Sequence, residues 1–301
     1  MYAKYSPPGR SPTMGAMTSD ALQPWLAHVA RERAQALARA CAAPDWADHP
    51  ERLRLVRLAA RRLRSALELM GEAAPQAPLR AARRWTRELG RLRSLDVLAA
   101  LLAEAPSRVG GLPVQAAAEH LLEAFERERR QGRRRLAERL GDLPTLEPGP
   151  AAPPAPGAAV LWAELTPLLR TALEPLPEAC AAGDLEALHG LRLATKRLRY
   201  ALEVLGPAFA AAPDQALLAL KTLQDALGQL HDWAELRGRL EAALREVEGR
   251  HRSALAAGLE PLRAHAWREA DLALAQVTAL AAELDPLAFA TLLRRTLGDL
   301  R

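Results

Sequence analysis

Residues 53–67 and 188–202 read LRLVRLAARRLRSAL and LHGLRLATKRLRYAL, one segment written twice at a separation of 135 positions. Two further matches keep the same order. CAAPD at 41–45 pairs with CAAGD at 180–184, and LGRL at 89–92 pairs with LGQL at 227–230, the latter offset by 138. Small drifts in offset mean short insertions between shared elements. A duplication of this kind restricts the fold to two similar units with the same elements in the same order. Between the copies lies 141–157, GDLPTLEPGPAAPPAPG, where six prolines in seventeen residues exclude a helix. This stretch reads as a semi-extended linker.

Composition decides what the units are made of. Ala, Leu, Arg and Glu dominate, and all favour helices. Residues that favour strands are scarce, with aromatics at only 4%. No run alternates as a half-buried strand would. The expected fold is therefore all-α: two internally repeated helical bundles related by a pseudo-two-fold axis. Residues 1–20, rich in Pro, Ser and Gly, read as a disordered tail. Residues 21–140 form the first helical repeat, 141–157 the Pro-rich linker and 158–301 the second repeat, both repeats making one domain. Periodicity and breakers predict helices near 21–43, 50–71, 77–104, 113–140, 158–174, 184–205, 213–246, 249–283 and 286–298. Pro50 suits a first helical turn. Asp184 and Asp214 suit N-caps, and Gly71 and Gly206 suit C-terminal stops.

Charge is unevenly spread. Residues 1–150 are +8 and residues 151–301 are −3, and residues 51–100 alone hold twelve arginines against five acids. Such a concentration attracts anions. In the second copy His189, Arg192, Lys196 and Arg199 are spaced three, four and three, within an arc of about 80° on a helix. Leu188, Leu191, Leu198, Leu202 and Leu205 fall on a neighbouring arc. The first copy repeats the design with Arg54, Arg57, Arg61 and Arg64 beside Leu53, Val56, Ala60, Leu63, Leu67 and Met70. Each helix thus has one apolar stripe for a core and one cationic stripe beside it. Like charges on adjacent turns repel. Acids enter only at the stripe ends, as Glu68 and Glu203. The same uncompensated stripe in both copies points to an external anion, and arginine matches phosphate oxygens with paired, fixed donors.

These residues carry a resemblance. LHGLRLATKRLRYALEVLGP, followed by LQDALGQLHDWAEL, resembles the CHAD family, the conserved histidine α-helical domain, over roughly residues 21–285. The resemblance implies an all-α fold of two repeated halves and binding of inorganic polyphosphate on a basic surface. Its H-x-x-R-x-x-x-[KR]-R-x-R pattern falls on His189, Arg192, Lys196, Arg197 and Arg199. In the first copy it falls on Arg57, Arg61, Arg62 and Arg64, with Arg54 in the histidine's place. The family's R-D-x-D-V stretch is matched by Arg93, Asp96 and Val97, with Ser94 replacing an aspartate. Asp232 holds the equivalent place in the second copy. Asp96 and Asp232 read as residues that orient arginines.

A second tier of cations on the next helices, Arg83, Arg87, Arg93 and Lys221, with Arg80, Arg84 and Arg91, would widen the anionic track. A further cluster, Arg127 to Arg139, is interleaved with Glu126, Glu128 and Glu138 and reads as ordinary salt-bridged surface. His28, His120, His231, His251 and His265 are scattered and read as surface or packing residues. The six tryptophans read as core anchors, and so few aromatics argue against stacking on single strands.

Other classes find little support. Cys41 and Cys180 are the only cysteines, which fits a reducing compartment and offers no zinc spacing. No phosphate loop or dinucleotide fingerprint is present. No apolar run is long enough for a membrane span, and Met1 to Asp20 has Lys4 and Arg10 but no apolar core, so it does not read as a secretory signal. The reading is a non-catalytic, cytoplasmic polyphosphate-binding protein with no metal or cofactor, associated with polyphosphate granules. The alternatives are a weaker nucleic-acid binder, a phosphatase-type enzyme acting on polyphosphate, and a scaffold for an acidic protein.

Overall fold

The computed structural model describes residues 14–43, 46, 47, 49–149, 153–249 and 253–298. Within them all regular structure is helical, with no strand. The α-helices are α1 (Met14–Ala40), α2 (Pro50–Leu69), α3 (Gln76–Val109), α4 (Leu112–Arg134), α5 (Leu136–Leu140) and α6 (Ala158–Leu173). They continue with α7 (Leu176–Ala182), α8 (Leu185–Leu205), α9 (Asp214–Gly249), α10 (Ser253–Glu283) and α11 (Pro286–Leu297).

Local chemistry explains most boundaries. Pro50 opens α2, where its missing N–H is not needed. Asp184 caps α8 by accepting from the backbone N–H groups of Glu186 and Ala187. The two expected glycine stops behave differently. Gly71 takes the left-handed conformation at φ +57° that other residues avoid. Gly206 stays right-handed at φ −50° and leads into a 3-10 turn, Gly206–Ala208. Asp214 sits inside the first turn of α9 rather than capping it.

Several expected boundaries move. Residues 1–13 of the expected tail lie outside the described residues, as do Pro44 and Asp45 of the first CAAPD segment and His251. Helix α1 already begins at Met14, within the stretch read as disordered, because Pro12 is the last breaker before it. The helix expected over 113–140 breaks at Arg135, which leaves helical geometry with ψ 0°. Helix α7 was not expected. It starts at Leu176-Pro177, with proline in its first turn, a site where proline is tolerated.

The apolar stripes do what the periodicity predicts. Val56, Ala60, Leu63 and Leu67 of α2 and Leu188, Leu198, Leu202 and Leu205 of α8 are all buried in one core. Each such leucine removes enough apolar surface to stabilise the fold by about 2 kcal/mol. That core also takes residues of α1, α6, α7 and α11 and the N-terminal part of α9. A second core lies farther along the long helices. It joins Leu95, Leu98 and Leu102 of α3, Phe125 of α4, Leu236 and Leu240 of α9, and Leu259 and Leu262 of α10. Trp233 packs against both. Among the tryptophans Trp85 is buried, whereas Trp267 is exposed and lies under Arg237 at 4.0 Å, so it is no core anchor.

After each basic helix the elements recur in the same order: α2, a 3-10 turn and long α3, then α8, a 3-10 turn and long α9. Helices α2 and α8 pack on each other, α3 and α9 pack on each other, and each basic helix packs on the long helix that follows it. The four make a closed ring.

Gly258 of α10 lies where α10 crosses the start of α4. A Cβ there would stand 2.0 Å from the Pro113 carbonyl oxygen and 2.8 Å from the Ala117 Cβ. Gly258→Ala is expected to destabilise the protein by about 2 kcal/mol, read as a lower urea midpoint. An unchanged midpoint would mean that the two helices have room to part.

Candidate functional site

The four-helix ring brings together cations that are far apart in the chain. Arg57 and Arg61 come from α2, Arg93 from α3, and Arg192 and Lys196 from α8. Burial lowers the pKa of Arg57 first, and the charges of Arg93 and Arg61 lower it further. Arg61 is lowered by burial. Its guanidinium lies 4.5 Å from the centre of the Tyr200 ring, which Arg199 approaches at 4.9 Å. Lys196 is pushed down to about 8, by burial and then by Arg192, Arg61, Arg64 and Arg57. A charged lysine there is disfavoured by lost hydration and by like charges at once.

Among the described residues, none of Arg57, Arg61, Arg93, Arg192, Lys196 or Arg197 has a carboxylate within 4.0 Å. Asp232 of α9 lies close enough for Arg192, Arg93 and Lys196 to act on its pKa, yet burial raises that pKa overall. Arg54, Arg57 and Arg93 also line a cavity of about 330 Å³ with Glu51, Asp96 and Arg133.

The other nominated cations are differently placed. Arg64 meets Glu68 at 3.0 Å, and Glu68 also takes Arg83 at 3.1 Å. Arg199, only 16% exposed, meets Glu203 at 3.2 Å and donates to Gln224 at 2.6 Å. Arg62 reaches across from α2 to Glu203, 3.5 Å away. The expectation of four equally free cations per stripe is thus corrected. The two acids at the stripe ends neutralise the C-terminal members and two flanking cations, Arg62 and Arg83, and they leave the middle of each stripe bare. Arg54 is held by Glu51 at 2.9 Å. Arg197 lies off the stripe and lines a separate cavity of about 250 Å³ with Glu68 and Arg83.

In the second tier, Arg87 and Arg91 both face Glu88, at 3.3 and 3.2 Å, and Lys221 faces Asp225 at 2.6 Å. Arg84 donates to the Leu140 carbonyl at 2.6 Å and serves the fold. Arg93 alone of the second tier reaches the central cluster. Asp96 pairs with Arg129 at 3.3 Å, so it orients an arginine of α4 and not Arg93. Ser94 donates to Glu235 at 2.9 Å and ties α3 to α9. Arg127, Arg129 and Arg130 of α4 pair with Glu123 and Glu126, as an ordinary salt-bridged surface does, whereas Arg133 turns to the cavity that Arg54, Arg57 and Arg93 line.

Sequence reasoning missed His231. Its Nδ1 lies 3.3 Å from Nδ1 of His189, with ring centres 4.8 Å apart. Burial pushes His231 down to about 4, helped by Arg192, His189 and Lys196. A signal was available: at the second copy's offset of 138, His231 is the counterpart of Arg93, as His189 is of Arg54. The second copy therefore has two touching histidines where the first has two arginines lining one cavity. Tyr200 was missed too. Its counterpart is Ser65, and nothing in the first copy marks an aromatic there.

The sequence profile of the CHAD domain matches residues 21–241. The chain belongs to the CHAD family. Two solved structures support the fold of this CHAD protein. The CHAD domain from the plant Ricinus communis gives a TM-score of 0.53 at 24% identity, covering 89% of this chain and 92% of that one. PptA from Streptomyces chartreusis gives 0.60 at 20% identity, covering 89% and 99%. A search of curated proteins returned no match. No single described helix is long and apolar enough to cross a membrane.

The depressed pKa of Lys196 makes it a liability in the free CHAD domain. The lysine is lowered from 10.5 to about 8, so the folded state disfavours its proton. Below pH 8 that cost is present in full, and it fades as pH rises from 8 toward 10.5. Lys196→Met is expected to stabilise the free protein at pH 7 by about 1 kcal/mol, the like-charge part being screened at this half-exposed site. The gain should vanish above pH 10. A melting temperature that falls on substitution at pH 7 would contradict this account.

Proposed function

We propose that this CHAD protein binds inorganic polyphosphate without turning it over. The observation that carries the reading is the cluster of Arg57, Arg61, Arg93, Arg192 and Lys196, drawn from three helices and left without carboxylate partners. A fold that loses stability by holding bare cations together gains it back when an anion arrives. The basic helices α2 and α8 then act as two walls of one groove, related by a pseudo-two-fold axis. Arg54 and His189 flank its ends, and Arg197 lies to one side, on the separate cavity with Glu68 and Arg83. Arg62, Arg64, Arg83, Arg87, Arg199 and Lys221 belong to its rim and shape it through their acids. Membership in the CHAD family supports the choice of polyphosphate among anions.

A linear polyphosphate suits this layout better than a small metabolite. Its charges repeat along its length, as the cations do along α2 and α8. Each phosphate that meets an arginine releases counterions to solvent, and the entropy of that release drives binding. Arginine adds two parallel hydrogen bonds per phosphate, which lysine cannot. Association with polyphosphate granules follows from the same chemistry. Nucleic acid shares the backbone charge. It would also need a helix in a groove or aromatic faces for its bases, and the bare cations lie between packed helices.

Binding of long-chain polyphosphate should fall with salt by about 0.7 log units per log unit for each phosphate engaged. Combining Arg57→Glu, Arg61→Glu, Arg192→Glu and Lys196→Glu should weaken binding at low salt by at least about a hundredfold and flatten the salt slope. Arg263→Glu, in a surface pair with Glu260 on α10 at 2.7 Å, serves as the control. Equal binding by the fourfold variant and the parent would refute the site. Duplex DNA should compete only weakly, and magnesium should cause no phosphate release from bound polymer. DNA that displaces polyphosphate at equal charge would favour the nucleic-acid reading.

A further inference from the structure

We propose that Lys196 is also a covalent modification site, acylated by small acyl phosphates that the surrounding arginines hold by the phosphate group. The inference rests on the reading of the cluster as a phosphate site and adds a reaction to it. The chain holds only three lysines: Lys4, Lys196 and Lys221. Lys221 is exposed and tied to Asp225 at 2.6 Å. Lys196 sits where the repeat places Arg61 in the first copy, half-buried on α8. It is the one amine in a cluster otherwise made of guanidiniums, which are not nucleophiles at ordinary pH.

The surroundings supply both parts of an acyl transfer. Arg192 stands one turn before Lys196 on α8, and Arg57, Arg61 and Arg64 stand on α2, the helix packed against α8; all four act electrostatically on the Lys196 ammonium. From α9, Asp232 and His231 feel its charge in turn. Among the described residues no acid pairs with it, so no ion pair holds its proton in place. With the pKa near 8, about half of the side chain is free amine at pH 8, against roughly 0.3% of an ordinary lysine.

An acyl phosphate brings a dianionic phosphate that the arginines can bind and a carbonyl carbon beside it. The Nζ lone pair attacks that carbon. The bond between the carbonyl carbon and the phosphate oxygen breaks, and phosphate leaves with the bonding pair into the same arginine cluster. The nitrogen loses one proton to water and keeps the acyl group as a neutral amide. No oxidant or further reactant is needed. The product removes one cation from the middle of the cluster, so polyphosphate binding weakens. Bound polyphosphate in turn favours the protonated amine and covers it, so the polymer protects the lysine.

The test treats the full chain with acetyl phosphate at pH 8 and follows acetylation of Lys196 and Lys221 by peptide mass spectrometry. Lys196 is expected to react at least about tenfold faster than Lys221. Its advantage should shrink when a neutral acetyl ester replaces acetyl phosphate, and Arg57→Gln with Arg192→Gln should shrink it likewise. Long-chain polyphosphate should suppress the reaction. Lys196 labelled no faster than Lys221, or an equal advantage with both reagents, would overturn the proposal. Slow labelling in a protein that binds polyphosphate tightly overturns the acylation site alone. Fast labelling without protection by polyphosphate supports the acylation site and overturns the polyphosphate reading.

Discussion

Positive charges with no carboxylate partner among the described residues lie between packed helices, and the fold has to hold them there against their own repulsion. Arg57, Arg61, Arg192 and Lys196 repel one another and lose hydration at the same time. No local interaction would keep them together. The force that does so is apolar burial on the adjacent stripe of each helix. Leu63 and Leu67 of α2, and Leu198 and Leu202 of α8, are fully enclosed in one core. Rotating either helix to separate the cations would carry these leucines into water, at a cost of about 2 kcal/mol each.

The acids are placed with economy. Glu68 and Glu203 stand one turn beyond Arg64 and Arg199 and neutralise them along the helix. Glu203 also reaches Arg62 on the opposite helix, and Glu68 takes Arg83. This pairing stiffens the ends of the cluster and leaves its middle bare. Ser94 and Glu235 fasten α3 to α9 on the other side of the ring. Arg61 is steadied by the face of Tyr200 rather than by an acid, which keeps its charge available.

The two copies have diverged at the positions where divergence changes chemistry. The first copy has two guanidiniums, Arg54 and Arg93, lining one cavity. The second has His189 and His231 in contact at 3.3 Å, with His231 held neutral at ordinary pH. The first copy has Arg61 where the second has Lys196, a guanidinium set against an amine. One half of the cluster is therefore chemically fixed, and the other can gain or lose protons and, in the proposal made above, an acyl group.

Much was legible in the sequence because it depends on neighbours along the chain. Helix periodicity, the proline break at 141–157 and the duplicated segment determined the all-α class and the course of nearly every helix. The apolar and cationic stripes of α2 and α8 followed from spacing alone, and the family pattern rested on the same residues. What spacing could not supply was pairing across the ring. On α2 alone Arg61 and Arg62 look equally free, and only the packed structure separates a bare cation from one matched to Glu203 of α8. His231 looked like a stray histidine until α8 and α9 brought it against His189, forty-two positions away. Tertiary structure decides these cases because an ion pair or a shifted pKa depends on distance in space, and sequence periodicity measures distance only along one helix.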